Sequence, residues 1–290
     1  MPEMTAQDGP RIASLVPSLT ELLVALGLRD FLVARTGFCI HPATELVDVP
    51  KIGGTKDVNL VKLRRLAPTH VLVNIDENRR ETVDAIRAFR RAADTAANGA
   101  DANEADAAPK IIVTHPCGPD DNLALIEQLL GHFGHLAGVA QRAAGLTQAL
   151  RHELALTCPD SARHTWPEQR VLYLIWRAPW MTVARDTYLS RMLARVNWRT
   201  WPDQHGGASG AARYPVVDAD APGLAQVQRV LLSSEPYAFG GPSLEQYRAE
   251  AAALCPHARV QLVDGELLSW YGARAVPGLR YLRELANAVD

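Results

Sequence analysis

Short β-rich runs alternate with helix-length amphipathic segments along most of this 290-residue chain. This alternation constrains the fold more than any other feature of the sequence, because it is typical of βαβ units, which build parallel sheets. In the first half, strands are predicted at 12–16, 31–34, 71–73 and 111–113, and helices at 19–26, 58–66 and 80–92.

A long helical pattern follows, from Asp120 to Leu156, in which apolar residues recur every three or four positions. Glycines at 131, 134 and 138 argue against one unbroken helix. The pattern therefore predicts two consecutive helices that break near Gly138, the second running from about 139 to 156.

The alternation resumes after a proline-containing linker at 157–170, so the predicted order is α/β, long helix, α/β. We predict an N-terminal α/β lobe at 11–118 with an exposed, mobile insertion at 92–109, a helical segment at 119–156 that bridges the lobes, and a C-terminal α/β lobe at 168–290. In the second lobe, strands are predicted at 171–176, 216–217, 230–232 and 260–263, and helices at 187–195, 244–254 and 277–288.

Composition narrows the function classes. A net charge of -2 with scattered basic residues gives no electrostatic attraction to nucleic acid. No run reaches the ~20 apolar residues of a membrane span. Four cysteines stand far apart, which favours reduced thiols in a cytosolic protein. With no large charge asymmetry and no heptad pattern, a monomer is expected. The first ten residues lack the pattern of a secretory signal, so a cytoplasmic location is expected as written, and a periplasmic one if the start codon is mis-assigned.

Motifs of enzymes are absent from the sequence: there is no G-x-G-x-x-G, P-loop, H-E-x-x-H or G-x-S-x-G pattern. We therefore expect a protein that is not an enzyme.

Two pairs of residues could meet as four zinc ligands, namely Cys39 with His41 and His115 with Cys117. The alternative is that each pair lies in a turn set by its neighbouring proline.

Two S-x-x-E/Q patterns predict capping boxes at helix starts. One joins Ser18 to Glu21 and the other joins Ser243 to Gln246. In each, the serine oxygen would accept the amide hydrogen three residues later.

Aromatic residues cluster directly after three predicted strands of the second lobe, in "LIWRAPW", "SSEPYAF" and "LLSWYGAR". Loops past the carboxyl ends of parallel strands converge on the ligand crevice, so these residues predict one wall of a site for a broad, flat ligand. The alternative is that they plug the core. Neighbouring charges would form a polar rim or pair with one another. The aromatic residues are Trp176, Trp180, Tyr237, Phe239, Trp270 and Tyr271, and the charged ones are Glu235, Glu266, Arg177 and Arg274.

Five segments together resemble the helical-backbone metal-receptor family, the class III substrate-binding proteins of ABC importers, and within it the cobalamin-binding group. They are "RIASLVPSLTELLVALGL", "GFCIHP", "KIGGTKDVNLVKLRRLAPTHVLV", "PWMTVARDTYLSRML" and "LLSSEPYAF", and the likeness covers about 11–288. The resemblance implies two Rossmann-like lobes joined by a long rigid backbone helix, with the ligand in a cleft between the lobes.

The same resemblance implies a metal-chelate ligand, namely a corrinoid such as cobalamin, and no cofactor of the protein's own. A ferric siderophore or haem is the alternative ligand, with His41 or His115 as axial candidates. The positions that match the family's cleft loops are Ser18, Leu19, Phe38, Cys39, His41, Gly54, Thr55, Trp176, Trp180, Tyr237 and Trp270.

One position departs from the family pattern. Val61 stands where such receptors often carry a glutamate that docks to an ABC permease, which puts a permease partner in question. Two further interpretations stay open: a cytosolic enzyme or chaperone of corrinoid metabolism with the same fold, and a cytosolic protein that binds another protein in the cleft.

Overall fold

The computed structural model describes residues 9–89, 108–158 and 166–288. The chain divides into two compact units, and we describe each by itself. Unit 1 comprises Met1–His115 and Glu127–Ala144, and unit 2 comprises Pro116–Ile126 and Gly145–Asp290. Most of the predicted insertion at 92–109 lies outside the described residues.

Unit 1 is built on a parallel four-stranded sheet of order β2-β1-β3-β4. Its central strands are buried along most of their length, which explains why they appear in the sequence as short apolar runs without alternation. Strand β1 pairs with β3 in the register Ile12↔His70 to Ser14↔Leu72. The strands are β1 (Ile12–Ser14), β2 (Leu32–Arg35), β3 (His70–Asn74) and β4 (Lys110–Thr114).

Helices pack against this sheet through their apolar side chains. Leu63 and Ile86 are fully buried against strand residues such as Ala13 and Val71, and they close the core of unit 1. The helices are α1 (Pro17–Ala25), α2 (Leu60–Arg65) and α3 (Arg80–Arg87).

The predicted pair of long helices is confirmed as α4 (Asp121–Phe133) and α5 (Val139–Leu156). Gly138 separates them with a φ of 75°, a conformation that favours glycine. The division between the two units falls within both helices. No helix among the described residues combines the length and the apolar character needed to cross a membrane.

Unit 2 repeats the strand order of unit 1, with a parallel sheet β6-β5-β7-β8. Its strands are β5 (Gln169–Leu174), β6 (Trp198–Thr200), β7 (Arg229–Ser233) and β8 (Arg259–Val263), and its helices besides parts of α4 and α5 are α6 (Tyr188–Ala194), α7 (Leu244–Leu254), α8 (Gly265–Ser269) and α9 (Ala275–Asn287). The predicted class, two α/β lobes with parallel sheets, is confirmed. The predicted domain limits stay a prediction.

One predicted strand is wrong. Val216 makes only an isolated bridge to Met181 and is 58% exposed, so 216–217 is not a strand of the sheet. The position beside β5 belongs instead to β6, which the sequence pattern missed. Three residues with an exposed arginine in the middle carry too little apolar signal to predict an edge strand.

Both predicted capping boxes are wrong. Helix α1 begins at Pro17 after Val16, and Ser18 lies inside the first turn. Proline at the first helical position has no N–H to satisfy, so this helix start needs one cap fewer. Ser243 ends a short 3₁₀ turn with ψ of 3°, and its side chain makes no cap hydrogen bond to α7.

Replacing Gly138 by alanine tests the break between α4 and α5. We expect Gly138→Ala to lower the free energy of unfolding by about 1–2 kcal/mol, because a Cβ disfavours the left-handed backbone. Gly145→Ala is the matched control. Gly145 lies exposed within α5 with no atom within 4 Å of the added Cβ, so we expect a gain of about 0.5–1 kcal/mol. Urea unfolding followed by circular dichroism measures both, and equal effects of the two changes would contradict the assignment.

Candidate functional site

In each unit, the two central strands mark the point where the chain order reverses. Unit 1 has β1 beside β3 with β2 on the other side of β1, and unit 2 has β5 beside β7 with β6 on the other side of β5. In open parallel sheets, ligands bind past the carboxyl ends of the strands at such a switch point. The residues after β1, β3, β5 and β7 are therefore the first candidates for a site.

An aromatic cluster occupies the switch point of unit 2. We define the aromatic cluster as Trp176, Trp180, Tyr237, Phe239 and Tyr247. The rings of Trp176, from the loop after β5, and Tyr237, from the loop after β7, meet edge to face with centroids 5.4 Å apart. Trp180 stacks on Phe239 at 5.8 Å with an interplanar angle of 13°.

The aromatic cluster is layered between the core and the surface. Phe239 is fully buried among the core residues of unit 2, and the rings of Trp180, Tyr237 and Tyr247 pack against that core. Trp176 is 43% exposed. The cluster thus presents an exposed indole on a rigid apolar base, an arrangement that suits contact with a flat apolar ligand.

An ion pair borders the aromatic cluster. The Arg177 guanidinium donates from Nε to Glu250 Oε2 (2.6 Å) and from Nη2 to Oε1 (2.7 Å), and it lies 5.5 Å from the centroid of the Tyr247 ring. The hydrogen bonds from Arg177 hold the pKa of the Glu250 carboxyl below its usual range, and the hydrogen bond from Gln246 adds a smaller effect in the same direction. Both charges are therefore present at neutral pH and offset each other.

A second group of predicted wall residues is buried. Trp270 is 7% exposed, and its indole N–H donates to Glu235 Oε1 at 2.7 Å. Arg274 lies over the Trp270 ring at 4.7 Å and pairs with Glu266 at 2.5 Å. These two predicted rim charges therefore pair with each other.

Unit 1 presents one exposed aromatic residue after β2. Phe38 is 63% exposed, and its ring lies so close to Gly54 that an added Cβ would meet it at 3.2 Å. The buried Arg35 holds this loop by donating to the carbonyl oxygens of Cys39 (2.8 Å) and Leu46 (3.0 Å).

The switch point of unit 1 is closed by polar contacts. Asn78 Nδ2 lies 3.3 Å from the carbonyl oxygen of Leu15 and 3.0 Å from that of Thr55, and Asn78 Oδ1 accepts from the amide of Asn74. One asparagine thus links the segments after β1 and β3 to the 53–58 loop.

Three predicted site residues of unit 1 are buried, and their role as ligand contacts stays a prediction. Ser18 is 3% exposed, and Leu19 and Cys39 are fully buried. The Cys39 sulfur lies 3.1 Å from Thr36 Oγ1, and burial raises the pKa of its thiol. Leu19 lies on α1 among other buried residues, such as Leu22 and Leu23.

The two axial candidates are half-buried. His115 Nε2 lies 3.4 Å from Asp76 Oδ2, after β4 and β3 respectively, and His41 lies in the loop that carries Phe38. Within the described residues, no group of three or more histidine, cysteine or acidic side chains could hold a metal ion. The hypothesis of a four-ligand zinc site therefore gains no support.

Sequence reasoning missed Tyr247 and Glu250. Both lie on α7, and their spacing of three residues places them on one helix face. Glu250 meets Arg177 across 73 residues of sequence, and no local pattern signals such a contact.

No protein-family model and no curated protein matches this chain. Solved structures do match over nearly the full length. The periplasmic vitamin B12-binding protein BtuF of Vibrio cholerae is 18% identical with a TM-score of 0.71, covering 97% of this chain and 98% of that one. A periplasmic haem-binding protein from Pseudomonas aeruginosa is 18% identical with a TM-score of 0.72, covering 97% and 95%.

The periplasmic haem-binding protein RhuT from Roseiflexus sp. RS-1, in its apo form, is 20% identical with a TM-score of 0.65, covering 96% of this chain and 100% of that one. At these identities the likeness shows the fold. The predicted α/β fold with two parallel sheets is thereby confirmed.

The buried Glu235 carboxyl predicts a pH-dependent stability. Burial raises the pKa of Glu235, although Ser269 and Trp270 donate hydrogen bonds to it. The unfolded chain has a glutamate pKa of about 4.3, and below that pH the carboxyl is protonated in both the folded and the unfolded state. As the pH rises through the higher pKa of the folded state, the unfolded state releases its proton more readily, so the free energy of unfolding falls. Glutamine keeps the acceptor oxygen without titrating. The stability of the wild type relative to Glu235→Gln should therefore fall as the pH rises above about 4.3.

Urea unfolding of both proteins at a series of pH values measures this difference. Glu245→Gln, at a carboxylate whose side chain is 80% exposed, is the control. A difference that stays flat or grows with pH for Glu235→Gln would contradict the prediction.

Proposed function

We propose that this protein binds a flat metal chelate, cobalamin or a related corrinoid, and delivers it to an ABC permease without making or breaking bonds. The chelate is cargo, and the protein has no cofactor of its own. The shared fold with proteins described as vitamin B12-binding and haem-binding supports the chelate class. The observation that carries the proposal is the aromatic cluster at the switch point of unit 2.

The aromatic cluster supports a macrocyclic ligand for a geometric reason. Trp176 stands exposed and contacts the ring of Tyr237, which in turn packs against the buried Phe239. Exposed aromatic side chains on a fixed base lose little conformational entropy on binding, and their faces bury large apolar area. The flat body of a corrin matches such a surface.

Residues of unit 1 would contribute a second set of contacts. Phe38 offers an exposed ring, and Gly54 allows that ring to lie against the backbone. Thr55 is half-buried beside it and supplies a hydroxyl for the amide groups at the edge of a corrin. We therefore keep Phe38, Gly54, Thr55, Trp176, Trp180 and Tyr237 as proposed ligand contacts. The predicted position of the ligand relative to the two lobes stays a prediction.

Haem is the second candidate. His41 lies in the same loop as the exposed Phe38, and a histidine beside an aromatic contact is a suitable axial ligand for iron. Several proteins that share the fold are described as haem-binding. Haem carries two carboxylates, however, and the cation beside the aromatic cluster is already paired with Glu250.

Delivery to a permease, and with it a periplasmic location, follows from the proposed class. Val61 is 66% exposed at the position where a docking glutamate is expected by resemblance. Docking would therefore use contacts other than a carboxylate at this position.

Ligand retention tests the proposal directly. Protein at micromolar concentration is mixed separately with cyanocobalamin, ferric protoporphyrin IX and a ferric hydroxamate siderophore, and each mixture is passed through gel filtration. We expect cyanocobalamin to coelute with a Kd of about 1 µM or tighter. Retention of haem alone would support the second candidate, and retention of none of the three would overturn the chelate proposal.

Trp176 provides a test of the aromatic contact. We expect Trp176→Ala to weaken cyanocobalamin binding about 10-fold, which corresponds to ~1.4 kcal/mol, because an exposed indole face is lost. Trp176→Phe keeps an aromatic face and is the matched control. Isothermal titration calorimetry measures both, with circular dichroism to verify the fold. Equal affinities for wild type and Trp176→Ala would remove the argument from the aromatic cluster.

A further inference from the structure

We propose that Glu250 is a selectivity determinant: by pairing with Arg177 at the edge of the aromatic cluster, it makes the site discriminate against chelates with anionic edge groups. This inference rests on the proposed function and specifies the charge class of the ligand.

The geometry of the pair is the first support. Arg177 follows the exposed Trp176 directly, so its guanidinium is the cation that the loop after β5 brings to the aromatic cluster. Glu250 takes two parallel hydrogen bonds from it, at 2.6 and 2.7 Å. A bidentate pair of this kind uses the edge of the guanidinium that would otherwise bind a ligand carboxylate.

Further contacts hold Glu250 in position. Gln246 Nε2 donates to Glu250 Oε1 at 2.8 Å from one turn earlier in α7. On the other side, Tyr247 supports the guanidinium with its ring face and shares a 3.0 Å hydrogen bond with the hydroxyl of Tyr237. The ion pair is therefore joined to the same rings that would contact the ligand.

Exposure of the pair is the second support. The side chains of Arg177 and Glu250 are 32% and 31% exposed, so a bound chelate could reach them. A carboxylate brought near this pair would meet a charge-neutral pair in which the Nε/Nη2 edge of the guanidinium is already bound to Glu250. An uncharged amide edge, as in a corrin, loses nothing by comparison.

Removing the negative charge should reverse this discrimination. Glu250→Gln leaves Arg177 as an uncompensated cation, and we expect the ratio of affinities, ferric protoporphyrin IX over cyanocobalamin, to rise about 10-fold at low salt. The gain should shrink as the ionic strength is raised. The double variant Arg177→Gln/Glu250→Gln should return the ratio to the wild-type value.

Two controls separate the ion pair from general charge and from apolar contact. Glu245→Gln makes the same change in net charge on the same helix, at a carboxylate that pairs with Arg248, and should leave the ratio unchanged. The dimethyl ester of ferric protoporphyrin IX lacks the two carboxylates and should bind Glu250→Gln no better than the wild type.

Fluorescence titration of the intact protein and each variant measures all affinities. The inference is overturned if the wild type binds cyanocobalamin and Glu250→Gln leaves the affinity ratio unchanged. It is also overturned if Glu245→Gln raises the ratio equally, or if Glu250→Gln increases the affinity for the dimethyl ester as much as the affinity for the free acid. A wild type that binds no chelate overturns the proposed function, yet a haem affinity gained only in Glu250→Gln would still support the masking of Arg177. If neither protein binds any chelate, both proposals fall.

Discussion

The parallel pairing of β5 with β7 is the constraint on which the candidate site depends. Leu174, the last residue of β5, pairs with Leu232, so both strands end at the same edge of the sheet. The loops that follow therefore begin side by side, although they are far apart in sequence. Trp176 and Tyr237 have ring centroids 5.4 Å apart for this reason, and α7 then adds the remaining tyrosine and the glutamate of the ion pair to the same place. A sheet of another strand order would scatter these side chains.

The two units use the same strand order for different chemistry. In unit 1, Asn78 links the segments after β1 and β3, so that switch point consists of engaged polar groups. In unit 2, the equivalent point carries aromatic rings over a buried floor that includes Phe239. Strand order therefore fixes where a ligand could bind, and the loop residues determine what each unit could bind there.

Periodicity in the sequence predicts the α/β class, the two long helices and their break at Gly138, because repeated burial of one face leaves a repeated pattern. It fails where a contact is non-local. Strand β6 has three residues and is defined by its pairing with β5, and the partner of Arg177 lies 73 residues away on α7. The helix start at Pro17 shows a third kind of failure, since the proline, rather than the S-x-x-E pattern that follows it, sets where α1 begins.

Trp176 and Trp270 show why an aromatic residue at a strand end does not by itself define a ligand wall. The same sequence pattern predicts both as wall residues. The indole N–H of Trp270 is bound by Glu235 and one face of its ring is covered by Arg274, so its surface is used within unit 2. Trp176 contacts Tyr237 edge to face and keeps 43% of its surface exposed. The same distinction applies to charge: the Arg177 guanidinium beside such a ring is bound by Glu250, so the charge next to the aromatic cluster is set by the pair rather than by the arginine alone.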